Sequence, residues 1–181
     1  MALNIPGYVA GTYEIDASHS SVGFSIRHMM VAKVRGEFTD VSGTIVLAED
    51  PAASSIDAKI DPATIATRNA DRDAHLRSGD FFATDEHPEW SFTGKGIREH
   101  NGDLLLDGEL QMRGITKPVT FELEFGGIGP DVYGNTRAGA SAKARIKRGD
   151  FDITFNQALE GGGVMLSDDV DVDIEISAVK Q

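Results

Sequence analysis

From Arg137 to Lys147 the chain alternates without a break. Arg137, Gly139, Ser141, Lys143, Arg145 and Lys147 are interleaved with Ala138, Ala140, Ala142, Ala144 and Ile146. A period of two places successive side chains on opposite faces of a β-strand. One face of this strand is polar, and the other is unusually shallow. The same period recurs from end to end. Val22, Phe24, Ile26 and His28 alternate with Gly23, Ser25 and Arg27, and Ile56, Ala58 and Ile60 alternate with Asp57, Lys59 and Asp61. Leu104, Leu106, Leu110 and Met112 share a face, as do Val119, Phe121, Leu123 and Phe125, and finally Val170, Val172, Ile174 and Ile176. Strands with one apolar and one wet face belong to antiparallel sheets.

Turn signals fall between these segments. Asn101-Gly102 predicts a tight hairpin, because both of its central residues tolerate positive φ. Ser42-Gly43, Asp50-Pro51, Gly126-Gly127 and Gly161-Gly162-Gly163 punctuate the other strands. One helix is predicted over residues 70–78, with Asn69 as N-cap, Asp71 and Asp73 near its positive end, Arg77 near its negative end and Gly79 as a stop. It falls on a long crossover. No repeat or linker divides the 181 residues, so a single all-β domain over 1–181 is expected, with its strands closed into an antiparallel barrel.

A barrel of about eight strands is near the size at which the lumen either fills with side chains or encloses one small ligand. The alanine row leaves room. Phe24, Ile26, His28, Leu104, Leu106, Phe121, Leu123, Ala138, Ala140, Ala142, Ala144, Val172 and Ile174 would then line an apolar cavity. An unfilled space of about 300 Å³ would cost roughly 7 kcal/mol, so such a cavity calls for an apolar ligand. In the other reading, large residues opposite the alanines fill the space.

Charge narrows the partners. With 17 Lys and Arg against 29 Asp and Glu, the net charge of -12 repels phosphate backbones and anionic lipid surfaces over most of the molecule, so no nucleic-acid partner is expected. There is no cysteine, hence no disulfide, thiolate metal site or thiol nucleophile. The N-terminal Met-Ala-Leu-Asn-Ile-Pro-Gly-Tyr has neither a basic start nor an apolar run, and no stretch of about 20 apolar residues occurs. A cytoplasmic protein without an integral membrane segment is the expectation.

Four groups of residues invite a chemical reading. Asp16, Ser18, His19 and Ser20 cluster, but without a Gly-x-Ser-x-Gly elbow they read as a turn stitched by side chains. The five histidines show no metal-ligand spacing, so no metal is expected. Arg68, Arg72, His75 and Arg77 concentrate positive charge and could clamp a polar headgroup at the barrel mouth, helped by Arg113 or Lys117. Alternatively, the arginines pair with Asp71, Asp73 and Asp80 and pin the loop. Phe81, Phe82, Trp90 and Phe92 read as a plug at the barrel's end, and Met29 and Met30 as an adaptable surface for an apolar ligand or as ordinary core or interface residues.

Taken in order, these segments resemble one family. Tyr13-Glu14-Ile15-Asp16, His19-Ser20, residues 22–28, Gly36-Glu37-Phe38, residues 72–78 with Asp80-Phe81-Phe82, His87-Pro88-Glu89 with Phe92, Gly108-Glu109-Leu110, residues 113–119 and Asp150-Phe151 look like the YceI-like polyisoprenoid-binding proteins. The resemblance runs from about Tyr13 to Ala178. It implies an eight-stranded lipocalin-like β-barrel with one short helix on a crossover loop. It also implies a long isoprenoid in the lumen, of the quinone or polyprenyl phosphate type, and often a homodimer. Many relatives are exported, a property the N-terminus here does not suggest. The expected function is therefore non-enzymatic binding, storage or transport of a long-chain isoprenoid or fatty lipid, with no other cofactor. Two alternatives stand beside it: an enzyme acting on such a lipid through His19, His28 or His75 with Asp16 or Asp73, and an acidic module that binds a basic protein.

Overall fold

The computed structural model describes residues 3–181, so Met1 and Ala2 of the N-terminal segment read above lie outside the described residues. The strands are β1 (Gly11–Ile15), β2 (Ser21–His28), β3 (Ala32–Phe38), β4 (Val41–Leu47), β5 (Ser55–Ile60), β6 (Ile65–Ala66), β7 (Trp90–His100), β8 (Asp103–Met112), β9 (Ile115–Pro130), β10 (Thr136–Lys147) and β11 (Leu166–Lys180), and one helix, α1 (Ala70–Arg77), lies between β6 and β7. Every pairing between them is antiparallel.

These segments build eight staves. β1 and β2 follow one another along the same edge of β11, with Glu14 opposite Val179 and Val22 opposite Ile174. β3 and β4 run on in the same way, since Val22 faces Phe38 and Glu14 faces Thr44. β5 and β6 share the far side of that stave, with Ile60 opposite Val41 and Ile65 opposite Phe38. From β5 the sheet passes through β7, β8, β9 and β10 to β11, and β11 pairs with β1, which closes an eight-stranded barrel. Closure leaves few open edges.

Local chemistry sets the breaks. Asp16 caps a short 3-10 turn between β1 and β2 by accepting the Ser18 N–H, and Asp50 and Asp61 do the same ahead of Pro51 and Pro62. Asn101 and Gly102 turn β7 into β8 with φ of 54° and 90°. Helix α1 follows its predicted course: Asn69 Oδ1 accepts the Arg72 N–H at 2.9 Å, and the last helical residue is Arg77, with Ser78 as cap. No helix among the described residues is long and apolar enough to cross a membrane.

The two ends of the barrel are closed differently. Beneath α1, Phe38, Phe81, Phe82, Trp90, Phe151 and Ile153 form the main buried cluster, with the Trp90 ring 4.8 Å from Phe82 and 5.1 Å from Phe38. At the far end Tyr13, Leu47 and Ala178 form a smaller one, against which Tyr8 packs. The plug expected of the aromatics is thus made by Phe81, Phe82 and Trp90. Phe92 stands apart, edge-on to Phe121 at 5.1 Å.

Candidate functional site

Between these two clusters lies a cavity of about 600 Å³. Its wall is almost wholly apolar because each stave turns its apolar alternate residues inward. Phe24, Ile26 and His28 come from β2; Leu104 and Leu106 from β8; Phe121 and Leu123 from β9; Ala138, Ala140 and Ala142 from β10; Val172 and Ile174 from β11. The residues opposite do not fill the space above the alanines. Ala140 and Ala142 pair with the larger Ile176 and Ile174, while Ala138 pairs with Ala178, so the shallow row shapes one flank of the lumen.

Ala144 departs from this reading. It faces the same way as Ala142, opposite Val172, but it does not line the cavity. The β9–β10 ladder ends at Lys143 opposite Glu122, so Ala144 sits where the two strands part. Alternation predicted the face correctly; where neighbouring strands diverge was not readable from it.

The arginine segment divides. Arg72 and His75 reach the cavity wall, whereas Arg68 and Arg77 do not. Arg77 donates from Nε to the Ala63 carbonyl at 2.8 Å, which ties α1 to the β5–β6 crossover, and Arg68 is exposed. The expected pairing of these arginines with Asp71, Asp73 and Asp80 is not formed among the described residues. Backbone groups take their place. Arg72 donates to Thr67 Oγ1 at 2.8 Å and to the Thr67 carbonyl at 2.6 Å, while Asp73 accepts from Thr67 Oγ1 at 2.6 Å. His75 Nε2 lies 2.9 Å from Asp80, and its ring stands edge-on to Phe81 and Phe155, each at 5.0 Å. Arg113 bonds the Asp152 and Gly79 carbonyls, so it too anchors a loop.

One wall residue had no signal in the sequence. Arg148, only 6% exposed, donates to the carbonyls of Ser167, Ile153 and Phe155 at 2.8 to 2.9 Å and forms no ion pair among the described residues. Burial pushes its guanidinium below the usual arginine range. Trp90 Nε1 is buried without a hydrogen-bond partner among the described residues. Together with Thr67, Asp71, Arg72 and His75, Arg148 makes the α1 end the charged end of an apolar lumen. At the other end the polar groups are hydroxyls. Tyr8 donates to the Ala48 carbonyl at 2.7 Å and Tyr13 to that of Val9 at 2.9 Å, and burial raises the pKa of both.

Asp16, Ser18 and His19 do meet, but on the outside of the barrel. Ser18 Oγ and Asp16 Oδ2 both approach the same ring nitrogen, His19 Nδ1, at 3.0 and 2.8 Å. A relay needs the acid and the hydroxyl on opposite ring nitrogens. The cluster instead stitches the β1–β2 break. Ser20 Oγ bonds both backbone groups of Ser177, and Arg137 donates to Asp16 at 2.8 Å and to Ser177 Oγ at 3.0 Å. These bonds from Ser18, Arg137 and His19 hold the Asp16 carboxyl well below the usual range. The His28 ring lines the cavity without a side-chain hydrogen bond among the described residues, and Asp73 is committed to Thr67 rather than to a histidine. Met29 and Met30 lie on the exposed β2–β3 tip, not on the wall.

Comparison with known proteins agrees with this architecture. The chain is 36% identical over 176 residues to protein YceI of Escherichia coli, covering 96% of this chain and 89% of that protein. The crystal structure of a Campylobacter jejuni YceI protein superposes with a TM-score of 0.71 at 31% identity, over 86% of this chain and 90% of the other. A polyisoprenoid binding domain from Saccharophagus degradans shares the fold at 17% identity, with a TM-score of 0.71 over 96% and 100% of the two chains. The family model for the YceI-like domain matches residues 13–178, from the buried Tyr13 of β1 to the buried Ala178 of β11, and the chain belongs to the YceI-like family.

Proposed function

We propose that this protein binds a long-chain isoprenoid lipid in the barrel lumen and stores or carries it without covalent chemistry. The observation that carries this reading is the cavity of about 600 Å³ with an apolar wall running from Phe24 to Ile176. At about 24 cal/mol per Å³, leaving such a volume void would cost on the order of 14 kcal/mol, which rivals the whole stability of a typical domain. An apolar chain removes that cost and gains about 25 cal/mol for each Å² of its own surface taken from water. The described polyisoprenoid binding domain of Saccharophagus degradans, with the same fold, supports an isoprenoid over other apolar cargo.

The headgroup belongs at the α1 end, where Arg72, His75 and Arg148 stand on the wall. That distribution favours a polar or anionic head, of quinone or polyprenyl phosphate type, over a plain hydrocarbon. The test is direct. The purified protein is extracted into organic solvent and, separately, incubated with a long-chain quinone or a polyprenyl phosphate before native mass spectrometry. One lipid per chain is expected. A protein that carries no lipid and takes up neither compound would overturn the proposal.

A further inference from the structure

The tip of the β2–β3 hairpin is exposed, apolar and held in a conformation its residues disfavour. Met29 and Met30 have φ of 57° and 63°, a region populated readily by Gly, Asn and Asp but not by methionine. Met29 is 43% exposed, Met30 55% and Val31 82%. Val164, 40% exposed, adds to them from the neighbouring turn, where Gly163 packs beside Met30. A tip built for stability in water would place polar turn residues here.

Charge within the hairpin differs from that of the molecule. Residues 27–35 hold three cations, Arg27, Lys33 and Arg35, and no carboxylate, in a chain of net charge -12. All three are exposed, and none forms an ion pair among the described residues. Asp171 and Asp173 of β11 and Glu122 of β9 share the outer face with Lys33 and Arg35, but Asp171 is bonded to Arg145 at 2.7 Å and Glu122 to Lys143 at 3.5 Å, and Glu160 is the one carboxylate in the adjoining 158–164 turn. An apolar tip flanked by unpaired cations is complementary to an anionic bilayer, whose headgroups attract the cations while its acyl chains take up the tip.

The tip stands at the α1 end of the lumen. The Met29 N–H bonds the Met165 carbonyl at 2.8 Å, and both Met165 and the adjacent His28 line the cavity. We propose that the Met29-Met30-Val31 tip and the cations beside it dock this protein on an anionic lipid bilayer. This goes beyond the cargo reading and stands or falls separately from it.

The experiment is co-sedimentation of the full chain with phosphatidylcholine vesicles, with and without phosphatidylglycerol, at low and high salt. Binding is expected to vesicles containing phosphatidylglycerol and to weaken as salt rises. Replacing Arg27, Lys33 and Arg35 with Gln is expected to weaken it roughly a hundredfold. The Met29→Asn/Met30→Gly pair is expected to weaken it at least about tenfold. That pair suits positive φ, so it folds at least as stably and retains quinone uptake measured by native mass spectrometry. A wild-type chain that stays in the supernatant overturns the proposal, as do variants that sediment like wild type. A dimer that the tip pair dissociates, without vesicle binding, also overturns it and makes the tip a contact between copies. Docking by a protein that carries no lipid and takes up neither a quinone nor a polyprenyl phosphate would sink the cargo reading alone.

Discussion

Ala140 and Ala142 are small where the lumen needs width, and Arg137 is charged where the barrel seam needs a tie. Both readings give mutations with a definite sign. Ala140→Phe with Ala142→Phe places two rings in the cavity opposite Ile176 and Ile174. Isoprenoid uptake should fall below detection by native mass spectrometry while the melting temperature holds or rises, since the rings occupy space rather than displace packed neighbours. Arg137 bonds Asp16 and Asp131, and both carboxyls are held below their usual range. A depressed carboxyl pKa contributes stability above the ordinary aspartate value of about 4 and loses it as pH falls toward the folded value. Arg137→Gln should therefore destabilise the protein near neutral pH, with the gap from wild type closing in thermal melts between about pH 5 and pH 2. A gap independent of pH would remove the Asp16–Arg137 link from the account.

Within the strands, backbone approach matters as much as side-chain pattern. A Cβ added at Gly94 of β7 would lie 2.7 Å from Ile56 Cγ2 and 2.9 Å from Phe92 Cε1, so the glycine lets a neighbouring side chain and ring cover the backbone. Gly94→Ala should cost about 1–3 kcal/mol in denaturant unfolding. Gly129→Ala in β9, where an added Cβ meets nothing within 4 Å, should stay within about 0.5 kcal/mol. In α1 the Asn69 cap satisfies the Arg72 N–H, and Asn69→Ala should cost about 1 kcal/mol. The cap and the Asn101-Gly102 turn were legible because each is local chemistry. The close approach of Ile56 to Gly94 was not, because the two meet only after β5 and β7 pair.

The molecule as a whole links cargo to stability. A ligand that binds the folded barrel and not the unfolded chain stabilises it by about 2.7 kcal/mol at a hundredfold excess over its dissociation constant. Scanning calorimetry should thus show a lower melting temperature after delipidation and its recovery on adding a long-chain quinone. No shift on re-addition would argue against occupancy of the lumen. Charge acts at this scale too, because a net charge of -12 is spread over a barrel whose β2–β3 tip is locally basic.

Alternation alone carried the antiparallel strands, the inward faces and the alanine flank, since a period of two is imposed by the backbone and survives in any barrel. The motif series carried the family. The eight-stranded barrel came with the family, but neither reached the breaks that split three of its staves into β1 to β6, the divergence of β9 and β10 at Ala144, or the separation of Arg72 and His75 from Arg68 and Arg77. Those depend on which edges meet and which carbonyls lie within reach of a guanidinium. Arg148 is the clearest case. In the chain it is one more basic residue after Lys147, and it becomes a buried cation on the lumen wall because folding brings the carbonyls of Ser167, Ile153 and Phe155 around it.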